Sequence, residues 1–220
     1  MVAFFTPPPF MKRASAGLSA VYRDGGRNGT DLTTYNFSVP LGADAATRVL
    51  IVGVTGRHNT NTVFPTVTVN GVTATALSLF NGGFNTKACL YAVALPTGNV
   101  ANIAVSFSTA ATRCAACLWE TVGLLSLTPI SSGGASTQPL TVNLTTQAGG
   151  AVFAVSEFYP YSDSVWTGAS EDFDLSYVDG GLTLSQSGAS ALTPASGSLS
   201  VINAMVSGVT AAAMSAVSLR

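Results

Sequence analysis

The chain has 220 residues, of which 47% are hydrophobic and only 9% charged, with a net charge of -1. That length can bury a core without disulfides or a metal, and all-β units of this size are common. The nine Lys and Arg residues are scattered from Lys12 to Arg220, so no basic face can form and phosphate-driven nucleic-acid binding is excluded.

Residues 1–14 read as an extended arm. Phe4 and Phe5 precede Pro7, Pro8 and Pro9, and Phe10 follows them, which gives a polyproline-like segment carrying aromatics. Such a segment has no core of its own, so these residues are expected to dock on the chain's own body or on a neighbouring subunit. The same prolines break the apolar start, so no secretion signal is read and synthesis in the cytoplasm is expected. Lys12, Arg13, Arg23 and Arg27 form the one basic cluster, read as a solvated segment.

Residues 15–220 read as a single β-sandwich domain. Arg48 to Thr55 is apolar on both faces, as a central strand requires. Thr66 to Thr75 predicts a hairpin with a type I′ turn at Asn70-Gly71, setting Val69 opposite Val72 and Thr68 opposite Thr73. Cys89, Tyr91, Val93 and Leu95 alternate with Ala88, Leu90 and Ala92 before a turn at Pro96-Thr97-Gly98. Ile103, Val105 and Phe107 alternate with Ala104, Ser106 and Ser108. Arg113 to Leu127 is long enough for one bent strand or for two strands broken at Gly123. Ser131 to Gly134 reads as a loop.

Further strands are predicted at Ala151 to Phe158, Val165 to Thr167, Phe173 to Val178 and Leu182 to Ser185. The last two are Leu199 to Val206 and Ala211 to Leu219. The apolar tail from Val201 is about as long as a membrane span, but Asn203, Ser207, Gly208, Thr210 and Ser215 interrupt it, so strands are expected there. No segment has sustained helical periodicity, and no period of fixed length is visible. The pattern predicts an all-β, two-sheet antiparallel sandwich of jelly-roll type.

Little in the chain suggests catalysis. The single histidine, His58, lies in a polar stretch read as an exposed loop, and there is no G-x-S-x-G elbow. No phosphate-binding glycine loop is present, and no cofactor is expected. Cys114 and Cys117 have redox-motif spacing, but in a strand positions three apart face opposite sides, so they are not expected to bridge. A disulfide from Cys89 to either is an open alternative. Glu171, Asp172, Asp174 and Asp179 read as a solvated strand edge and turn, with calcium as the alternative. Tyr159, Tyr161 and Trp166, near Phe158, are the candidate residues for stacking on a sugar ring. The other reading places Phe158 and Trp166 in the core.

Five stretches together resemble a β-sandwich domain of tailed-bacteriophage and prophage virion proteins. They are RVLIVGVTGR (48–57), TVTVNGVTATAL (66–77), LYAVALPTGNVANIAVSFS (90–108), GGAVFAVS (149–156) and WTGASEDFDLSYVDGG (166–181). The resemblance implies a non-enzymatic decoration, collar, tail or fibre component located in the virion. Other virion proteins and further copies of the chain are the implied partners, with a host surface glycan as the alternative. Low charge and strands apolar on both faces independently predict surface that is covered by a subunit contact. Neither a membrane nor a nucleic acid is an expected partner.

Overall fold

The computed structural model describes residues 17–58, 60, 63–179, 181–193, 195–205 and 208–220. The predicted arm, with Phe4, Phe5, Pro7, Pro8, Pro9 and Phe10, lies outside them. Among the described residues the chain is almost entirely strand, all of it antiparallel, with one short helical turn at Gly83–Asn85.

The first half comprises β1 (Ser19–Asn28), β2 (Leu32–Pro40), β3 (Arg48–Arg57), β4 (Thr66–Val69), β5 (Val72–Thr73), β6 (Thr75–Asn81), β7 (Thr86–Ala94), β8 (Val100–Ala111) and β9 (Arg113–Val122). The second comprises β10 (Ser131–Ala135), β11 (Leu140–Thr146), β12 (Gly150–Tyr159), β13 (Ser164–Thr167), β14 (Ser170–Asp179), β15 (Leu182–Thr193), β16 (Gly197–Met205) and β17 (Ala211–Leu219).

The expected two-sheet antiparallel sandwich is present, and it is built twice. In the first half, an inner sheet ordered β1-β9-β3-β7-β6 faces an outer sheet ordered β2-β8-β4-β5. In the second, an inner sheet ordered β10-β17-β12-β15-β14 faces an outer sheet ordered β11-β16-β13. The two orders are the same once β5, which has no counterpart, is set aside. In both halves the chain crosses between sheets except at hairpins such as β6–β7 and β14–β15, and brings its last strand beside its first, as in a jelly roll.

A shared irregularity strengthens the correspondence. The edge strands β6 and β14 each carry a bulge after their second residue, at Leu77 and at Asp172. Bulges at matching positions are retained features of a fold, not accidents of packing.

Three cores separate four layers. Tyr35, Leu50, Val52, Ile103, Val105 and Leu118 fill the first sandwich. Leu140, Leu144, Val152, Phe158, Val201 and Met214 fill the second. Between the two inner sheets lies a middle core that includes Ile51, Leu90, Trp119, Phe153, Phe173 and Val217. The inner strands β3, β7, β9, β12 and β17 are therefore buried on both faces, because each face meets another sheet. β3 is the central inner strand that its sequence predicts.

The Asn70-Gly71 hairpin also forms as predicted. Both residues take positive φ, 49° and 81°, and Thr68 pairs with Thr73 and Val69 with Val72. Ser131 to Gly134, expected as a loop, is instead strand β10, paired with β17 from Ser131↔Ser218 to Ala135↔Met214. The reason lies in the other half, since a Cβ on Gly134 would fall 2.1 Å from the Phe80 ring. Only glycine lets β10 lie against β6, so a residue that reads as a loop former serves a close approach here.

Candidate functional site

The three aromatics predicted to meet a sugar ring do not form one surface. Trp166 on β13 is only 9% exposed, packs in the second sandwich, and donates its indole N–H to Ser187 Oγ at 2.7 Å. It offers no face to a ligand, and the core reading of Phe158 and Trp166 replaces the stacking one. Tyr161 is 39% exposed and donates its hydroxyl to Asp163 Oδ1 at 2.6 Å. That hydrogen bond raises its pKa. Tyr159, at the end of β12, is half-buried and lines a cleft that does not include Tyr161.

His58 is a second correction, since the expected exposed histidine is buried. Its Nδ1 accepts the Thr60 N–H at 3.2 Å, so Nε2 carries the proton and donates to Thr109 Oγ1 at 2.8 Å. The ring stacks on Phe107, with centroids 5.6 Å apart. The imidazole ties the segment after β3 to β8.

The carboxylates near β14 are already engaged. Asp172 Oδ2 accepts the Trp119 indole N–H at 2.7 Å. Asp174 Oδ2 accepts the Ser164 N–H and hydroxyl at 3.0 and 3.1 Å. Burial raises the Asp174 pKa, while the two Ser164 bonds work against that rise. Among the described residues no three His, Cys, Asp or Glu side chains gather as metal ligands.

Cys114 faces the first core and Cys117 the middle core, the opposition that strand alternation predicts. Cys89, Cys114 and Cys117 are free and fully buried, and no disulfide joins Cys89 to either of the others. Burial pushes the Cys89 thiol up to about 12 and the other two upward as well, which suppresses the nucleophilic thiolate.

Two other regions have the character of recognition sites. The first is the pair of outer faces. No strand of either outer sheet contains Asp, Glu, Lys or Arg. Thr34, Asn36, Ser38, Thr68 and Asn102 cover one face, and Thr141, Asn143, Thr145, Ser198 and Ser200 the other. Neighbouring strands are laced by side-chain hydrogen bonds such as Ser38 to Asn102 at 3.2 Å and Ser200 to Asn143 at 2.7 Å. Charged residues lie instead on the inner sheets and in connecting segments, and Arg48, Lys87, Arg113, Glu120 and Glu157 of the inner sheets are all buried. Alternation along the outer strands could have revealed these faces, but only pairing shows that they belong to two continuous surfaces.

The second region is a cleft of about 100 Å³ at one end of the seam between the inner sheets. Arg57, Phe84, Arg113, Tyr159, Thr210 and Ala211 line it. Arg113 Nε donates to Glu157 Oε1 at 2.8 Å across the seam, and the Tyr177 hydroxyl donates to Glu157 Oε2 at 3.0 Å. Arg57 and Phe84 are far apart in sequence from Tyr159, so no local pattern marks this cleft.

Together, fold and surfaces define a class: a tandem jelly-roll-type β protein with uncharged outer faces. No protein-family model matches the chain, and neither the curated proteins nor the solved structures gave a match. Among the described residues no helix is long and apolar enough to cross a membrane.

Proposed function

We propose that this chain is a non-enzymatic structural protein of a bacteriophage virion, a decoration, collar or fibre component that assembles with copies of itself and with other virion proteins. The observation that carries this reading is the distribution of charge. The strands of both outer sheets are free of ionic groups, while the inner sheets bury Arg48, Lys87, Arg113, Glu120 and Glu157. Flat Thr/Asn/Ser faces desolvate at little cost compared with ionic ones, which suits surfaces that another subunit covers. Jelly rolls serve both viral coats and lectins, so the fold agrees with this role by analogy alone. The expected arm at residues 1–14 would supply a further grip.

The test is the mass of the chain in solution by light scattering, for the full protein, for one lacking residues 1–14, and for Thr68→Lys with Asn143→Lys. A defined oligomer that dissociates on truncation or on charging the outer faces supports the assembly role. A monomer in every case, at concentrations where virion subunits assemble, rejects it.

The second reading is a glycan-binding module. It is favoured by a shallow groove of about 340 Å³ on the first outer sheet, with amide and hydroxyl groups of Asn36, Ser38, Thr68, Asn70 and Asn102 along it. Groups of that kind donate to and accept from sugar hydroxyls.

A further inference from the structure

We propose that the free edge of β2 is a self-association site, where two copies of the chain pair their β2 strands antiparallel about a twofold axis. The inference rests on the assembly reading and assigns it one surface and one partner. An unpaired strand edge presents a row of backbone N–H and C=O groups that bond to another strand unless the fold guards it. Most edges here are guarded. β1 carries Arg23, Asp24 and Arg27 and a register shift after Tyr22. β14 carries four carboxylates and a bulge. β6 is bulged and β10 packs against it, while β5 and β13 are only two and four residues long.

Two edges are left, β2 and β11, one on each outer sheet, and neither strand contains a charged residue. They differ in what they leave uncovered. The inward side chains Leu140, Val142 and Leu144 of β11 are buried. Along β2 the inward ring of Phe37 is only half-buried, as are Leu32 and Leu41 at the two ends, and all three pack against the first core. A Cβ on Gly26 of β1 would lie 2.4 Å from the Phe37 ring, so the phenyl sits inside the sandwich at its open side. A further strand beside β2 removes this apolar edge from water.

A second copy is the occupant that the strand itself specifies. Antiparallel self-pairing sets each residue opposite a fixed mate, and a mate of opposite parity would turn an outward side chain onto the core side. Centring the pair on Asn36, the middle residue of Leu32–Pro40, keeps the parity and uses the whole strand. Tyr35 then faces the partner's Phe37, and Thr34 faces the partner's Ser38. That gives an aromatic pair inside and a hydroxyl pair outside, both favourable across strands. On the axis two Asn36 carboxamides meet, and a carboxamide both donates to and accepts from its like. Charge points the same way. Self-pairing brings like groups together, which neutral β2 tolerates and β14, with its four carboxylates, does not.

The experiment adds one cysteine at a time to the full chain, as Asn36→Cys, Thr68→Cys or Asn143→Cys, and oxidises each under mild conditions. Mates on neighbouring antiparallel strands have Cα atoms about 4.5–5.5 Å apart, within disulfide reach. The native Cys89, Cys114 and Cys117 are buried and do not compete. The expected result is a disulfide-linked dimer for Asn36→Cys alone, with light scattering giving twice the chain mass before oxidation. Thr34→Lys with Ser38→Glu should keep that mass, because each lysine meets a glutamate, whereas Thr34→Lys with Ser38→Lys should lower it to that of one chain. Equal masses for these two variants overturn the register and with it the pairing. Crosslinking of Thr68→Cys or Asn143→Cys to the same extent as Asn36→Cys overturns the choice of β2. An oligomer in which none of the three crosslinks overturns strand pairing and leaves the assembly reading standing. A monomer in every measurement overturns both.

Discussion

The two halves share a strand order, a winding and a bulge, yet their matched positions hold different side chains. Ile51 pairs with Trp119 across β3 and β9, and the corresponding pair on β12 and β17 is Phe153 with Val217. The large residue sits on the last strand in one half and on the third strand in the other. Across the seam Trp119 meets Phe153, with ring centroids 5.7 Å apart. Tyr22 and Phe173 continue the cluster, stacked at 4.8 Å. Topology is thus kept by alternation, turns and bulges, while side-chain identity answers only to the volume left by the opposite sheet.

The seam between the halves also carries polar ties that neither sandwich needs alone. The Arg113–Glu157 pair spans it, and the Ser215 hydroxyl donates to Ser78 Oγ at 2.7 Å. Breaking the ion pair should have the largest effect. Glu157→Leu leaves Arg113 buried without its carboxylate, and a loss of about 3–5 kcal/mol is expected in urea unfolding. Arg113→Met combined with Glu157→Leu should recover most of it. A single substitution as mild as the double one would mean that water reaches the seam and the halves are loosely joined.

Next in size is a direct comparison of matched positions. Trp119→Ala should cost about 3–5 kcal/mol, because its cavity opens in the middle core, whereas Val217→Ala should cost about 2 kcal/mol. Equal losses would show that the middle core does not rely on one large side chain from the first half. The smallest effect belongs to the hairpin that the second half lacks. Gly71 takes φ 81°, so Gly71→Ala should cost about 1 kcal/mol by the same assay while leaving the unfolding cooperative. No loss would mean that the β4–β5 turn is incidental to the first sandwich.

Much of this architecture was legible because it is local. A run apolar on both faces marked β3, alternation marked β7 and β8, and Asn-Gly marked its turn, since all three depend on backbone geometry within a few residues. Trp166 and His58 misled for the opposite reason. Their burial depends on strands β15 and β8, whose arrival no neighbouring residue announces. The duplication was hidden as well. Corresponding strands start at Ser19 and Ser131, but at Thr75 and Ser170 further on, so unequal loops and the extra β5 erase any fixed period.

By itself, then, the sequence determined an antiparallel β protein of low charge, with Cys114 and Cys117 on opposite sides of one strand and no local catalytic motif. Tertiary structure alone decided that the sandwich occurs twice, that the inner strands lie between two cores, and that Arg57, Phe84, Arg113 and Tyr159 share a cleft. The physical reason is range. Alternation and turn chemistry act over a handful of residues, whereas the seam is made by side chains such as Arg113 and Glu157, 44 positions apart, and Ser78 and Ser215, 137 apart, whose meeting depends on which sheet faces are left to be buried.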